Sequence, residues 1–168
     1  MSNAPFNDLA APRFSDRLTG LPLRESLERN AADALAQRQA THGVVSLLAF
    51  RLEPSAGWSD VYRRRVLRWI AQALRSATRA TDFVARTGEH EFTVVLPGAS
   101  KEQSRAVMVR VQSVLGRYLD TRGQRLNARR VRASIATAPE DGETVDALFS
   151  YLSGRIPENE TASRSRAG

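Results

Sequence analysis

The sequence contains no cysteine. Disulfide bonds, thiolate nucleophiles and the usual zinc sites are therefore excluded, and a reducing compartment is expected. The chain also lacks an apolar run long enough to span a membrane, and its first residues lack the basic-then-apolar pattern of a signal peptide. These absences predict a cytoplasmic protein without membrane insertion.

Lysine is almost absent too, since Lys101 is the only lysine among 25 basic residues, and the formal net charge is +7. Arginine offers a planar fork of donors that suits guanine and phosphate, but the codon bias of a GC-rich genome would produce the same excess. The arginines are spread along the chain rather than gathered with aromatic residues, which argues against DNA binding. Charge alone identifies no partner.

The length of 168 residues and the hydrophobic fraction of 42% fit one domain with its own core. Residues 1–13 contain two prolines and no sustained period, which predicts a flexible N-terminal arm. Residues 157–168 are polar and have no apolar face, which predicts a disordered C-terminal tail. The folded domain is therefore expected over residues 14–156.

Helical and strand-like patterns alternate within that domain. Helices are predicted from Leu23 to about His42, from Trp58 to Ala77, from Val107 through Tyr118, and over about Glu143–Gly154. Strands are predicted over Val44–Leu52, Phe83–Arg86, Phe92–Leu96 and Val131–Thr137, with Gly88 in a hairpin turn between the second and third. The alternation favours an α/β or α+β sandwich with a mixed sheet.

Three segments in register carry a family resemblance. Residues 16–24 read D-R-L-T-G-L-P-L-R, residues 86–92 read R-T-G-E-H-E-F, and residues 134–142 read S-I-A-T-A-P-E-D-G. Over about residues 14–154 the chain resembles the GGDEF family of diguanylate cyclases. The resemblance implies a nucleotidyl-cyclase-like fold with a central mixed five-stranded sheet flanked by helices.

The signature itself is degenerate: it consists of Gly88, Glu89, His90, Glu91 and Phe92. Active members of the family use this hairpin and the end of the first strand to hold two magnesium ions and GTP. His90 replaces a metal-binding carboxylate there, and imidazole is a poor magnesium ligand. Arg51 stands at the first aspartate position of the family's D-x-D, with Glu53 at the second. The resemblance therefore implies that the positively charged Arg51 has replaced a carboxylate that would bind magnesium.

Two other parts of the family's site are also altered. The guanine-reading segment is shortened, so that only Asp60 could survive from it, and residues 151–157 no longer match the closing phosphate-binding motif. We therefore expect no diguanylate cyclase activity, no magnesium and no other metal. His90 is expected in a solvated turn rather than in a metal cluster, and Asp16 and Thr19 lie where a cap for the first helix is expected.

A second site is implied by an R-x-x-D pattern before the signature, formed by Arg79 and Asp82. Family members under product inhibition carry this pattern, joined by an arginine from the following helix, which corresponds here to Arg110. Arginine can donate two bonds to O6 and N7 of guanine, and a carboxylate can accept from its N1 and N2 hydrogens. Alternatively, these three residues are an unused remnant of the inhibitory site, or Arg79 and Asp82 simply form a surface ion pair.

Together these features favour an inactive GGDEF domain that acts as a cyclic di-GMP receptor in bacterial signalling, biofilm formation or exopolysaccharide secretion. A stacked pair of ligands has more guanine edges than one such site can satisfy, so a ligand-induced homodimer is also expected. The alternative is a protein–protein interaction module that binds no nucleotide. An enzyme with altered chemistry is the least favoured class, because no acid, base or metal cluster replaces what is lost.

Overall fold

Four strands form one sheet, in the order β2-β3-β1-β4, in the part of the chain that the structure describes. The structure is a computed structural model, and it describes residues 15–120 and 130–155. The strands are β1 (Val45–Leu52), β2 (Phe83–Arg86), β3 (Glu91–Pro97) and β4 (Val131–Ala138). The predicted arm at 1–13 and tail at 157–168 lie outside the described residues.

The expectation of a mixed five-stranded sheet is wrong for the described residues, which form four strands paired only in antiparallel fashion. The β2–β3 hairpin places β3 between β1 and β2. The helix after β1 therefore leads to β2, which is parallel to β1 but is not paired with it. Likewise β3 and β4 are parallel to each other but lie on opposite sides of β1. Among these four strands the alternation of helices and strands therefore produces no adjacent parallel pair, and the isolated bridge between Leu23 and Arg86 at the edge of β2 is parallel.

The prediction of a central strand buried on both faces is confirmed by β1, which pairs with β3 on one side and β4 on the other. Leu48 and Phe50 point into one core cluster, whereas Val45 and Leu47 point into the other. Side chains alternate between the two faces of a strand, so a strand between two helical layers needs apolar residues at successive positions.

Helices cover both faces of the sheet. On one face lie α1 (Arg24–Thr41) and α4 (Val145–Ser153), and on the other lie α2 (Asp60–Ala77) and α3 (Lys101–Asp120). The buried residues of α1 are Leu27, Ala31, Ala34 and Leu35, as its apolar period predicts. Ser59 caps α2 by accepting from the Tyr62 N–H at 3.2 Å.

Two connections position the residues of interest. Residues 78–82 turn from the end of α2 into β2, and they contain Arg79 and Asp82. Residues 87–90 connect β2 to β3, and the Thr87 N–H donates to the Glu91 carbonyl at 2.9 Å. The predicted hairpin is thereby confirmed. None of the helices within residues 15–120 and 130–155 combines the length and apolar character that crossing a bilayer demands.

Candidate functional site

An arginine–carboxylate pair occupies the end of β1 beside the signature hairpin. Arg51 and Glu91 are directly opposite each other in the β1–β3 register. The Arg51 Nε donates to Glu91 Oε1 at 2.7 Å, and its Nη2 contacts the same oxygen. Because the carboxylate already has a cation bound to it, Glu91 is not free to hold a metal ion in this conformation.

The neighbouring carboxylates are paired in the same way. Glu53 accepts from Arg132 Nε at 2.7 Å, and Asp60 contacts Arg63 on the first turn of α2. The cavity that Arg51 and Glu91 line has a volume of only about 40 Å³. Within residues 15–120 and 130–155, no group of three histidine, cysteine or acidic side chains is arranged to hold a metal. Ligand pockets usually measure about 300–1,000 Å³, so this space is too small for a nucleotide.

His90 is more enclosed than the sequence suggested. It lies in the turn, as expected, but its side chain is only 25% exposed and therefore partly shielded from solvent. Burial lowers the pKa of His90, and Arg63 and Arg86 lower it further, against the opposing effect of Glu89 and Glu91. A neutral imidazole therefore lines the separate cleft of about 440 Å³ between α2 and the hairpin.

Asp16 does not cap α1, contrary to expectation. The residue preceding α1 is Leu23, which makes no side-chain cap. Asp16 instead accepts from the Thr19 N–H at 2.8 Å and the Thr19 hydroxyl at 2.6 Å, and Arg86 Nη1 donates to it at 2.9 Å. A tight turn before the helix competes with capping for the same carboxylate. Burial alone would raise the pKa of Asp16, but the bonds from Thr19 and Arg86 outweigh it and the pKa is lowered.

Asp16→Ala is expected to reduce the free energy of unfolding by about 1–3 kcal/mol, because it leaves the largely buried Arg86 without its carboxylate partner. The lowered pKa means that this stabilisation is present above the ordinary aspartate pKa of 3.8 and is lost as the pH falls further. Denaturant titrations at pH 7 and below pH 3.8 should therefore show a deficit that shrinks in acid. Asp33→Ala, on the exposed face of α1, is the control; an equal loss for both variants would contradict this role for Asp16.

Arg79 and Asp82 meet in one groove of about 540 Å³ at the C-terminal end of α2. The Arg79 N–H donates to Asp82 Oδ2 at 2.8 Å, and the Asp82 N–H donates to the Arg79 carbonyl at 3.0 Å. The Asp82 side chain is only 1% exposed, whereas that of Arg79 is 63% exposed. Their charged ends are 3.4 Å apart, so the pair holds the turn closed mainly through the backbone bond.

Arg110, the third residue predicted for this site, does not line the groove. Its Nη1 donates to the Ala77 carbonyl at 3.1 Å, on the last turn of α2. A cation near the C-terminal carbonyls of a helix is favoured by the helix dipole. The structure thus brings Arg79 and Asp82 together and places Arg110 beside them, on the neighbouring helix.

Sequence reasoning missed the other walls of the groove. Arg75 lines it from α2, and the loop at residues 15–22 closes its far side through Ser15, Gly20, Leu21 and Pro22. Arg75 Nη2 donates to the Thr19 carbonyl at 3.0 Å. The bond joins residues 56 positions apart in the sequence, so no local spacing could have indicated it.

Comparison with known proteins gives a family match over most of the chain. A family model described as "Diguanylate cyclase, GGDEF domain" matches residues 13–163. Diguanylate cyclase DgcP from Pseudomonas aeruginosa is 30% identical over 158 residues, which cover 91% of this chain but only 23% of DgcP. The chain therefore spans about a quarter of that relative's length.

Solved structures show the same fold. The GGDEF domain of DgcB from Caulobacter crescentus, solved in complex with c-di-GMP, has a TM-score of 0.67 and 15% identity, covering 96% of this chain and 93% of that one. Diguanylate cyclase SiaD from Pseudomonas aeruginosa, solved with its activator SiaC, has a TM-score of 0.63 and 25% identity, covering 91% and 59%. At 15% identity, the similarity to DgcB shows the fold only.

Proposed function

The chain belongs to the GGDEF domain family of diguanylate cyclases, and from this premise we propose that it is an inactive member that serves as a cyclic di-GMP receptor. The observation that carries the proposal is the groove at the end of α2, in which Arg79 and Asp82 lie side by side. The receptor would act in the cytoplasm, within a bacterial signalling, biofilm or exopolysaccharide-secretion system.

Arg79 and Asp82 carry the groups that recognise guanine, but only Arg79 is exposed, at 63% against 1% for the Asp82 side chain. The Arg79 guanidinium extends into the groove with only long contacts to Asp82, so its donors are available to O6 and N7 of a guanine. The Asp82 Oδ2 atom accepts from the Arg79 N–H, which orients the carboxylate, and Oδ1 has only the 3.4 Å contact. Because the Asp82 side chain is only 1% exposed, the turn must open before this carboxylate can accept from the N1 and N2 hydrogens of the base.

The charge at this end of α2 also fits the ligand. Arg75 and Arg79 line the groove and Arg110 lies beside it, so these three cations and the Asp82 carboxylate carry a net charge of +2. Cyclic di-GMP carries two negative charges, one on each phosphate. A pocket whose charge complements that of the ligand binds it faster and discriminates against neutral competitors.

Support for the absence of catalysis comes from the paired carboxylates at the signature. Magnesium needs several free carboxylate or phosphate oxygens in near-octahedral order. Glu91 is bound to Arg51, Glu53 to Arg132, and His90 offers a neutral imidazole. A metal would have to displace arginines from charge-assisted hydrogen bonds before it could bind.

A protein–protein interaction module without nucleotide is the second candidate function. Asp82 already accepts the Arg79 N–H, so the structure of the turn accounts for its burial without any ligand. Val61 and Val109 are large apolar residues that are 68% and 59% exposed, on α2 and α3. SiaD, a relative of the same fold, forms a complex with its activator. Calorimetry with cyclic di-GMP separates the two candidates, since only the receptor takes up the ligand.

Ligand is expected to shift the protein from monomer toward dimer. Two stacked cyclic di-GMP molecules present more guanine edges than the Arg79–Asp82 pair can bind, and Arg110 is the candidate to reach the remaining edges from a second copy. A ligand that binds the dimer more tightly shifts the equilibrium by mass action. Light scattering with and without cyclic di-GMP tests this, with Arg110→Ala as the variant expected to stay monomeric. An unchanged mass at saturating ligand would mean that each domain binds alone.

A further inference from the structure

Arg75 lines the groove of Arg79 and Asp82 from the last turn of α2. The residue is exposed. A guanidinium carries five N–H donors, and the bond from Arg75 Nη2 to the Thr19 carbonyl uses one of them. The others remain for a ligand in the groove.

The loop that Arg75 contacts comes unusually close to it. Gly20 has a φ of +71°, and a Cβ atom there would lie 3.3 Å from Arg75 Nη2. Glycine meets both demands, since it tolerates positive φ and leaves room for the guanidinium. The groove therefore has a wall of main chain with a cation resting directly against it.

Hydrogen bonds continue from that wall to the signature hairpin. Arg75 holds the Thr19 carbonyl, while the Thr19 N–H and hydroxyl donate to Asp16. Arg86 then donates through Nη1 to Asp16 at 2.9 Å and through Nη2 to the Glu89 carbonyl at 2.5 Å. A group that moves or fixes Arg75 thus acts on one end of a continuous hydrogen-bonded chain.

We propose that Arg75 is a further ligand-binding residue of this groove, which donates to a phosphate oxygen of the bound cyclic dinucleotide and thereby holds the 15–22 loop against the ligand. The inference rests on the proposed receptor function. Arg79 and Asp82 have the donors and acceptors that a guanine edge requires, which leaves the phosphates of the ligand for another cation. A planar guanidinium matches a phosphate with two parallel bonds.

The test compares Arg75 with Arg68 by calorimetry with cyclic di-GMP. Arg68 lies on the same helix and its Nε donates to the Leu18 carbonyl at 3.4 Å, so it contacts the same loop, but it does not line the groove. Arg75→Ala is expected to weaken binding about tenfold, whereas Arg68→Ala stays within about twofold. Arg75→Gln can still donate to the Thr19 carbonyl but lacks the charge and the fork, and it should lose about as much as Arg75→Ala.

Four outcomes of the titrations overturn the inference. If Arg75→Gln binds like the wild type, Arg75 only anchors the loop. If Arg75→Ala and Arg68→Ala lose affinity equally, loop anchoring again explains the loss. If the wild type itself takes up no ligand, the receptor function fails and the inference fails with it. If Arg79→Ala reduces the affinity but Arg75→Ala does not, the inference about Arg75 fails while the receptor function stands.

Hydrogen exchange gives a readout that a merely structural role would not change. The Gly20 N–H donates to the Asp16 carbonyl at 2.7 Å, and the Thr19 N–H donates to the Asp16 side chain at 2.8 Å. Ligand should slow exchange of both amides severalfold in the wild type and in Arg68→Ala. In Arg75→Gln, saturated with ligand, the same amides should exchange as in the free protein. Equal slowing in all three proteins would contradict the proposed contact.

Discussion

Arg79→Ala should weaken cyclic di-GMP binding by about 1–3 kcal/mol, roughly 5- to 150-fold, because it removes the bidentate donor to guanine. The side chain is largely exposed and its bonds to Asp82 are long, so its loss should change stability little. Calorimetric titration measures the effect. Arg51→Ala is the control, since Arg51 lies at the signature and does not line the groove, and its affinity should equal that of the wild type.

Asp82 requires a more careful substitution, because it also holds the turn. Asp82→Asn keeps an oxygen that can accept from the Arg79 N–H, but presents an amide to the N1 and N2 hydrogens of guanine, which are themselves donors. Binding should fall by at least about 1 kcal/mol while the melting temperature is nearly unchanged. Asp82→Ala should lower both the affinity for cyclic di-GMP and the melting temperature. Full affinity in Asp82→Asn would show that the carboxylate only stabilises the turn, and the remnant interpretation would then hold.

No cyclic di-GMP should form when the protein is incubated with GTP and Mg²⁺ or Mn²⁺. The carboxylates around the signature are already bound to arginines, which a metal ion would have to displace before it could bind. Product formation is measured by chromatography, with an active diguanylate cyclase as the positive control. Any turnover above a control without protein would contradict the inactive assignment.

The double variant Arg51→Asp with His90→Asp should remain inactive as well. It restores two carboxylates beside Glu91, but Asp60 stays bound to Arg63 at the shortened guanine-reading segment. Residues 151–157 also still lack the closing phosphate-binding motif that the family resemblance implies. Activity in this variant would show that the loss rests on the two metal-ligand positions alone.

The elements of the fold follow from local patterns, and their arrangement does not. The apolar run at Val45–Leu52 and the helical period of α1 identify their elements, because burial on two faces or on one stripe leaves a direct trace in the sequence. Sheet order depends on which strands pair, and the insertion of β3 between β1 and β2 leaves no such trace. Within residues 15–120 and 130–155, the mixed five-stranded sheet is therefore the wrong expectation.

In the candidate site, too, local features could be predicted from the sequence and long-range contacts could not. Arg79 and Asp82 were identified through the family's R-x-x-D pattern before the signature, which is visible in the sequence because the two residues are only three positions apart. Arg75 was missed because its partner, Thr19, is distant in the sequence. Asp16 was assigned to a helix cap because capping is the commonest local use of such a residue, and its long-range partner Arg86 was not foreseen.

The most direct test of the central claim is a calorimetric titration of the unmodified protein with cyclic di-GMP, without added metal. The receptor function predicts saturable heat of binding, which Arg79→Ala and Asp82→Asn reduce and Arg51→Ala leaves unchanged. A titration with no heat, together with no change in melting temperature at saturating ligand, would contradict it and favour the interaction module that binds no nucleotide.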